Sequence, residues 1–344
     1  MKFCSRSILG AVARRRFVSS TLCAVAASVV ALASAHAQAQ GAAYPNRPIS
    51  FVVTQSPGST SDLVARMLAA ELTARLGQNV IVENKPGAGG TIAMTGVARA
   101  KNDGYTLGLG SPGTMATATA IYPNLPYDPL KDFAPVILFA TSSNVLVVPG
   151  NSPIVSVSDL ARRMKEAGKA FQYSSPGNGS AQHLEGALLA KLVGAKAEHV
   201  PYGGTPTQLT ALMSGEVDFG FSTMQGAANF VKEGRLRALA ITSTQPSAVL
   251  PHVPSFSSLG LADLDKTGVW FGVVVPSGTP DAVIQTLHAA FAKSLSDPSV
   301  QSKLTAVGLE PVTPPASAAE FAKFVRDQVP FWAGLVKNSG AVVK

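Results

Sequence analysis

Cysteine is almost absent from this chain of 344 residues, which contains only Cys4 and Cys23. Both lie in the N-terminal stretch that is interpreted below as a signal peptide, so the rest of the sequence has none. This absence excludes disulfide bonds and thiolate metal sites from the exported protein. The histidines after the leader match no zinc-ligand spacing. We therefore expect neither a metal nor another cofactor.

Charge is also scarce, since only 14% of the residues are Asp, Glu, Lys or Arg. The formal net charge of +8 suggests a nucleic-acid partner, but five of the basic residues lie in the first 37 positions. Without them, 23 basic residues face 20 acidic ones. No later stretch combines basic residues with aromatic ones, as a phosphate-binding surface requires. We expect no nucleic-acid binding.

Several motifs of enzymes and nucleotide-binding proteins are missing. No serine stands in a G-x-S-x-G elbow and no Walker loop is present. Gly108 to Gly113 spells G-x-G-x-x-G, but Pro112 stands where the helix of a dinucleotide-binding fingerprint should begin. Asp128 is followed by Pro129 instead of ending a second strand. These absences argue against a hydrolase and a dinucleotide-binding enzyme.

A long apolar run occurs only at the N-terminus. A basic region ends at Arg16, an apolar run follows from Phe17 to Ala33, and Ala35-His36-Ala37 matches the A-x-A cleavage rule. We interpret residues 1–37 as a signal peptide and expect a periplasmic protein. The motif from Arg14 to Val18 matches a twin-arginine signal, and an ordinary basic signal region explains it equally well.

Strand and helix patterns alternate along most of the remaining sequence. Ile49 to Val53 is a short apolar run typical of a buried strand, and a helical periodicity from Asp62 to Leu76 ends at Gly77. The alternation starts again after a long β-rich stretch, Val136 to Val148. This pattern predicts a parallel α/β protein with two lobes.

One tripeptide, Ser-Pro-Gly, occurs three times directly after a predicted strand. It begins at Ser56, Ser111 and Ser175, and small hydroxyl residues follow the first and third copies before a helix. Ligands of open α/β sheets bind beyond the carboxyl ends of the strands. A helix N-terminus offers unpaired N–H groups and can hold an anion without Arg or Lys. The loops therefore predict a carboxylate or phosphate site, and simple turn formation is the alternative.

Longer motifs around these loops resemble one protein family, the Bug-type receptors of tripartite tricarboxylate transport systems. The similar segments, in chain order, are Glu83–Gly90 (ENKPGAGG), Asp103–Leu107 (DGYTL), Tyr122–Pro129 (YPNLPYDP), Phe133–Val136 (FAPV), Ser174–Leu184 (SSPGNGSAQHL), His199–Tyr202 (HVPY) and Trp270–Gly272 (WFG). The resemblance covers nearly all of the chain after the leader. Together the motifs are far more specific than any one of them.

The resemblance implies an α/β protein with a type II periplasmic-binding-protein fold, in which two α/β lobes close on a ligand cleft. It divides the chain into lobe 1 (44–142), lobe 2 (143–255) and a return to lobe 1 with the C-terminal helices (256–344). It further implies a monomeric receptor, not an enzyme, that captures a small carboxylated solute for the membrane subunits of a transporter. Di- and tricarboxylates, acidic amino acids and aromatic acids are the solute classes of the family.

The family's ligand loops match Thr54 to Asp62 and Ser174 to His183. Combined with the tripeptide loops, they give these candidate ligand-binding residues: Gln55, Pro57, Gly58, Ser59, Thr60, Ser61, Asp62, Ser111, Thr114, Ser175, Gly177, Gly179, Ser180, His183 and Tyr202. A packing role for His183 explains its position equally well. Backbone amides, hydroxyls and water are expected to hold one ligand carboxylate.

The first loop departs from the family pattern. Thr54 and Gln55 replace a Pro-Phe pair, and Ser59 replaces the second glycine of a Gly-Gly pair. An amide in place of an aromatic wall suggests an extra hydrogen-bonding group on the solute, whereas Ser59 either adds a donor or only fills space. Two other functions stay open: a sensor of the same fold without a transporter, and a periplasmic hydrolase or isomerase.

Overall fold

Residues 44–339 are described by the structure, a computed structural model, and the predicted signal peptide lies outside them. Within this range the strands are β1 (Ile49–Val53), β2 (Val80–Asn84), β3 (Thr106–Gly110), β4 (Phe133–Ser142), β5 (Asn144–Pro149), β6 (Phe171–Ser175), β7 (Ala197–Pro201), β8 (Phe219–Thr223), β9 (Leu236–Ile241), β10 (Val269–Pro276) and β11 (Glu310–Pro311). Residues 47–339 form one compact unit.

The same part of the chain contains α1 (Thr60–Leu76), α2 (Thr91–Ala98), α3 (Ala118–Ile121), α4 (Val157–Glu166), α5 (Ala181–Leu192), α6 (Thr205–Ser214), α7 (Met224–Lys232), α8 (Asp281–Leu295), α9 (Pro298–Ala306) and α10 (Ala318–Ser339). A π-helical turn, Gly113–Thr117, precedes α3. Within residues 44–339, no helix combines the length and the apolar character needed to cross a bilayer.

The strands form two sheets. The first sheet has the order β11-β4-β10-β3-β1-β2, and the second has the order β7-β6-β8-β5-β9. We call the first sheet with its helices the first lobe and the second sheet with its helices the second lobe. Two crossings connect them: β4 ends in the first sheet at Ser142 and β5 begins in the second at Asn144, whereas the return runs between β9 and β10.

Both sheets are mixed, although the alternation of strands and helices predicts parallel pairing. Strands β1, β2 and β3 are parallel, and so are β6, β7 and β8, as the alternating helices predict. However, β10 is antiparallel to β3 and β4, and β5 is antiparallel to β8 and β9. The two crossing strands, β5 and β10, enter their sheets from the other lobe with no α-helix between them and the preceding strand, so their direction is not set by a βαβ connection.

Local capping decides where the first helix begins. Ser59 has extended backbone angles and its hydroxyl accepts a hydrogen bond from the amide of Asp62, so α1 begins at Thr60, two residues before the predicted start. Three helices, α3, α7 and α9, were not predicted. The four residues of α3 and the nine of α7 are too short for a clear periodicity, and α9 begins at Pro298 behind the cap Asp297.

Each lobe has its own hydrophobic core, and the C-terminal helix connects the two. Val52, Met94 and Trp270 belong to the core of the first lobe, and Val145 and Leu212 belong to that of the second. Helix α10 packs against β4 and the π-helical turn of the first lobe and against α5 of the second. A helix that contacts both lobes limits how far they can separate.

A fully buried carboxyl group ties both crossings to helix α5. Glu185 accepts hydrogen bonds from the side chains of Asn144 (2.7 Å) and Thr267 (2.8 Å). Asn144 is the first residue of β5, and Thr267 lies two residues before β10. Burial raises the pKa of Glu185 to about 8, against the lowering effect of these two donors. The folded protein therefore keeps this proton at neutral pH, whereas the unfolded chain releases it.

Glu185 should make the free energy of unfolding fall as the pH rises. Between the unfolded pKa of 4.5 and the folded pKa of about 8, the folded state binds one proton more than the unfolded state. Relative to Glu185→Gln, which keeps the acceptor oxygen, the wild type should lose up to ~1.4 kcal/mol per pH unit in this window. Urea denaturation at a series of pH values measures the difference. Parallel pH profiles for the two proteins would show that Glu185 does not titrate in this way.

Candidate functional site

The parallel strands of both lobes end at one cavity. Because β1, β2 and β3 are parallel, the loops that follow them lie at the same edge of the first sheet. The loops after β6, β7 and β8 lie at the same edge of the second sheet for the same reason. These loops enclose a cavity of about 240 Å³ between the lobes, a size suited to a small metabolite.

Eight of the predicted site residues line this cavity and seven do not. The lining includes Gln55, Thr60, Ser61, Ser111, Thr114, Gly177, Ser180 and Tyr202. The residues outside the lining are Pro57, Gly58, Ser59, Asp62, Ser175, Gly179 and His183. All three loops therefore contribute to the cavity: Ser111 to Thr114 of the second loop line it throughout, whereas only parts of the first and third loops do.

In the first loop, Ser59 and Asp62 hold the backbone and do not face the cavity. Ser59 is completely buried as the cap of α1. The Asp62 carboxylate accepts hydrogen bonds from the amide of Gly58 (2.9 Å) and the side chain of Asn84 (2.9 Å), and it pairs with Arg66. Burial alone would raise the pKa of Asp62, but the donors Arg66, Gly58 and Asn84 outweigh it and lower the pKa. Gly58 has a positive φ of 78° and, like Pro57, is exposed at the turn.

In the second lobe, the third Ser-Pro-Gly loop is fixed by its own hydroxyl groups. Ser180 caps α5 by accepting from the amide of His183 (3.2 Å), and its hydroxyl donates to the carbonyl of Gly177 (2.7 Å). The Ser175 hydroxyl accepts from the amide of Gly177 (3.1 Å). Gly179 has a φ of 75°, a conformation that favours glycine. Ser180 therefore lines the cavity while its hydrogen is already donated inside the loop.

Two stacked histidines support this loop from the side away from the cavity. The rings of His183 and His199 lie 3.8 Å apart between centroids. Nδ1 of His183 accepts from the amide of Gly179 (3.1 Å), and Nε2 of His199 contacts the Ser175 hydroxyl (2.7 Å). Burial lowers the pKa of His183 to about 4, and burial together with the neighbouring ring lowers that of His199 to about 3. Both rings are neutral at physiological pH, and His183 has the packing role that the sequence left open.

Unpaired amide groups face the cavity from both lobes. Within residues 44–339, the N–H groups of Thr60 and Ser61 at the start of α1 have no hydrogen-bond acceptor. The same holds for Ala181 and Gln182 at the start of α5. All four residues line the cavity. Each helix N-terminus adds a partial positive charge of ~0.5 e, so two such ends make the cavity attractive to an anion.

No Asp, Glu, His, Lys or Arg of the described chain lines the cavity. Its polar side chains are hydroxyls and amides, and several already have partners. The Ser61 hydroxyl donates to Oε1 of Gln55 (3.1 Å), and Thr114 contacts the backbone of Ser111. The hydroxyl of Tyr202, whose pKa burial and Glu216 raise to about 12, donates to Glu216. Likewise, residues 44–339 contain no group of three or more potential metal-ligating His, Cys, Asp or Glu side chains.

Sequence reasoning missed several lining residues. Gly87 to Gly90 follow β2, Thr205 follows β7 and Thr223 ends β8, so the strand-end rule could have identified them. Val269 and Phe271 lie on β10 and form an apolar part of the wall. Phe271 belongs to the family motif WFG, but nothing in the local sequence places either residue at the cavity, which they reach through the return crossing from the second lobe.

The lobes are in contact across the cavity. The amide of Ser56 donates to the carbonyl of Gly203 (3.3 Å). Gly89 lies so close to the second lobe that a Cβ there would overlap the carbonyl oxygen of Asn178. The structure is therefore a closed arrangement, in which backbone meets backbone at the rim.

Comparison with known proteins identifies the family. Residues 64–341 match the model of the tripartite tricarboxylate transporter family receptor. The protein BugT of Bordetella pertussis is 32% identical over 324 residues, which cover 94% of this chain and 98% of BugT. A protein encoded between tcbD and tcbE in Pseudomonas sp. strain P51 is 35% identical over 269 residues, 78% of this chain and 80% of that protein.

Solved structures agree with the fold. The periplasmic binding protein BugD is 33% identical with a TM-score of 0.83, and the match covers 88% of this chain and all of BugD. An R. palustris protein solved with adipate has a TM-score of 0.82 at 32% identity, covering 86% of this chain and 98% of that protein. MatC from Rhodopseudomonas palustris, solved with malate, has a TM-score of 0.80 at 32% identity, covering 85% of this chain and all of MatC.

These matches confirm the resemblance seen in the motifs and the two-lobed α/β fold that it implies. The relatives are solute-binding proteins, not enzymes. The chain belongs to the tripartite tricarboxylate transporter receptor family and is a periplasmic solute-binding protein of the Bug type.

Proposed function

We propose that this receptor captures a small carboxylated solute in the cleft and delivers it to the membrane subunits of a tripartite tricarboxylate transporter. One observation carries the proposal: the N-termini of α1 and α5 bring four unpaired amide donors to one cavity. A carboxylate oxygen accepts such donors well, and hydrogen bonds to a charged group are worth ~1.5–3 kcal/mol each.

The lining favours capture over chemistry. General acid–base catalysis needs a titratable group within reach of the substrate, and nucleophilic catalysis needs a base beside the nucleophile. No Asp, Glu, His or Lys of the described residues reaches the cavity. The nearby acid and imidazoles, Asp62, His183 and His199, are all bonded to the loops instead.

Relatives support an organic acid as the solute. One solved relative holds adipate and another holds malate, and both are 32% identical to this chain. Adipate has an aliphatic chain between its two carboxylates, whereas malate is short and carries a hydroxyl. Here the cavity offers amide donors at the helix ends and the apolar side chains of Val269 and Phe271 on β10. This combination suits an acid with an apolar portion.

Carboxylates should raise the melting temperature, and matched neutral amides should not. A solute at 100 times its Kd stabilises the folded state by about 2.7 kcal/mol. With an unfolding entropy of ~2.1 cal/mol/K per residue, this corresponds to a shift of about 4 °C. Thermal melts with dicarboxylates, aromatic acids, their amides and sugars test the solute class. Stabilisation by sugars but by no acid would contradict the proposal.

Ser180→Ala should lower stability far more than affinity. The Ser180 hydroxyl caps α5 and donates to Gly177, so it has no second hydrogen for a solute. Loss of such a cap costs ~1 kcal/mol of unfolding free energy. Urea denaturation measures the stability, and calorimetry with the bound acid measures the affinity. A tenfold or greater loss of affinity with unchanged stability would instead identify Ser180 as a ligand donor.

Gln55→Phe should weaken binding of the native solute. Gln55 lines the cavity and uses Oε1 for Ser61, which leaves its amide nitrogen as a donor. If that nitrogen pairs with the solute, its loss costs ~1–3 kcal/mol, or about fivefold to more than a hundredfold in Kd. Mass spectrometry of the copurified acid identifies the solute, and calorimetry compares the two proteins. An unchanged Kd would remove Gln55 from the specificity determinants.

A further inference from the structure

A chain of side-chain hydrogen bonds crosses the cleft without involving the solute. The hydroxyl oxygen of Thr60, in the first lobe, lies 2.6 Å from that of Thr223, in the second. The Thr60 hydroxyl also donates to Oε1 of Gln225 over 2.8 Å. Thr223 and Gln225 flank the start of α7, immediately after β8. The three residues thus join the start of α1 to the start of α7.

The hydrogen bonds that join Thr223, Thr60 and Gln225 all run in the same donor-to-acceptor direction. The Thr60 hydrogen is used on Gln225, so the Thr223 hydroxyl must donate to Thr60. The Thr223 oxygen in turn accepts from the amide of Gly226 as the cap of α7 (3.3 Å). Every hydroxyl therefore uses its single hydrogen once. Gln225 supplies the acceptor that completes the chain.

Within residues 44–339, the side chain of Gln225 hydrogen-bonds to the site only through Thr60. Thr60 and Thr223 line the cavity, whereas Gln225 does not. Thr60 also carries one of the unpaired amides at the α1 N-terminus. Gln225, in the second lobe, holds the side chain of Thr60. The amide of Thr60 therefore stays opposite the amide donors of α5, as in the closed arrangement.

We propose that Gln225 is a positioning residue of the binding site, which holds Thr60 against the second lobe and stabilises the closed arrangement independently of the solute. The Thr60–Gln225 hydrogen bond breaks when the lobes open, and the solute does not take part in it. It therefore raises the closed population whichever solute is bound. The apparent Kd then improves in proportion to the fraction of protein that is competent to bind tightly. The contact must break before the solute leaves, so it slows dissociation.

Gln225→Met tests this role, because methionine keeps the length of the side chain and removes the acceptor. Gln285→Met is the matched control, since Gln285 is exposed on α8. Stopped-flow measurements with adipate as the probe should show koff increased about two- to tenfold for Gln225→Met, with kon nearly unchanged. Small-angle scattering without any solute should show a larger radius of gyration for this variant than for the wild type and the control.

A merely structural role for Gln225 would lower the melting temperature without raising koff or the radius, and that result would overturn the proposal. A fall in kon with koff unchanged would overturn it as well. The kinetic comparison rests on the proposed binding of carboxylates, whereas the scattering comparison does not. If adipate does not bind the wild type, adipate is not a solute of this receptor, and the carboxylate class is judged by the thermal melts. Equal radii for the two proteins would separately reject the role of Gln225.

Discussion

The whole site depends on one constraint: the first turn of a helix has amide groups that the helix itself cannot satisfy. In this protein two such turns, at the starts of α1 and α5, face each other across a cleft between two sheets. Serine caps satisfy one amide in each, and the amides of Thr60, Ser61, Ala181 and Gln182 remain for a ligand. An anion can therefore be bound by backbone groups whose positions the fold determines.

Charged and titratable side chains serve the scaffold around this site. Asp62 fixes the first loop by accepting a hydrogen bond from the amide of Gly58. The neutral, stacked rings of His183 and His199 hold the third Ser-Pro-Gly loop. Glu185 connects the two crossings to α5, the helix whose first residues line the cavity. Since a buried charge is costly unless it is paired, each of these groups either has strong partners or is kept neutral. The cavity is thereby left to neutral N–H donors at two helix N-termini, which favour an anion without a charged side chain.

Closure of the lobes requires backbone to approach backbone, and this explains the glycines at the rim. Gly89 combines a φ of 63° with direct packing against the carbonyl of Asn178. A side chain at this position would be strained in its own conformation and would also keep the lobes apart. The hydroxyl chain through Thr60 and Thr223 then adds a polar contact where the lobes meet. Small residues permit the closed arrangement, and polar contacts stabilise it.

The sequence by itself determined the α/β fold class and the loops of the candidate site, because capping residues, apolar runs and Ser-Pro-Gly turns are local signals. The family followed from the resemblance of longer motifs such as Glu83–Gly90 and Ser174–Leu184. The antiparallel crossing strands, the wall formed by Val269 and Phe271, and the pairing of Thr60 with Gln225 were decided only by the tertiary structure. The residues involved are far apart in the chain and have no periodicity in common. The same distinction divides the predicted site: their position in one loop brought Ser59, Thr60 and Ser61 into it together, but only three-dimensional packing separated the buried cap Ser59 from the two residues that line the cavity.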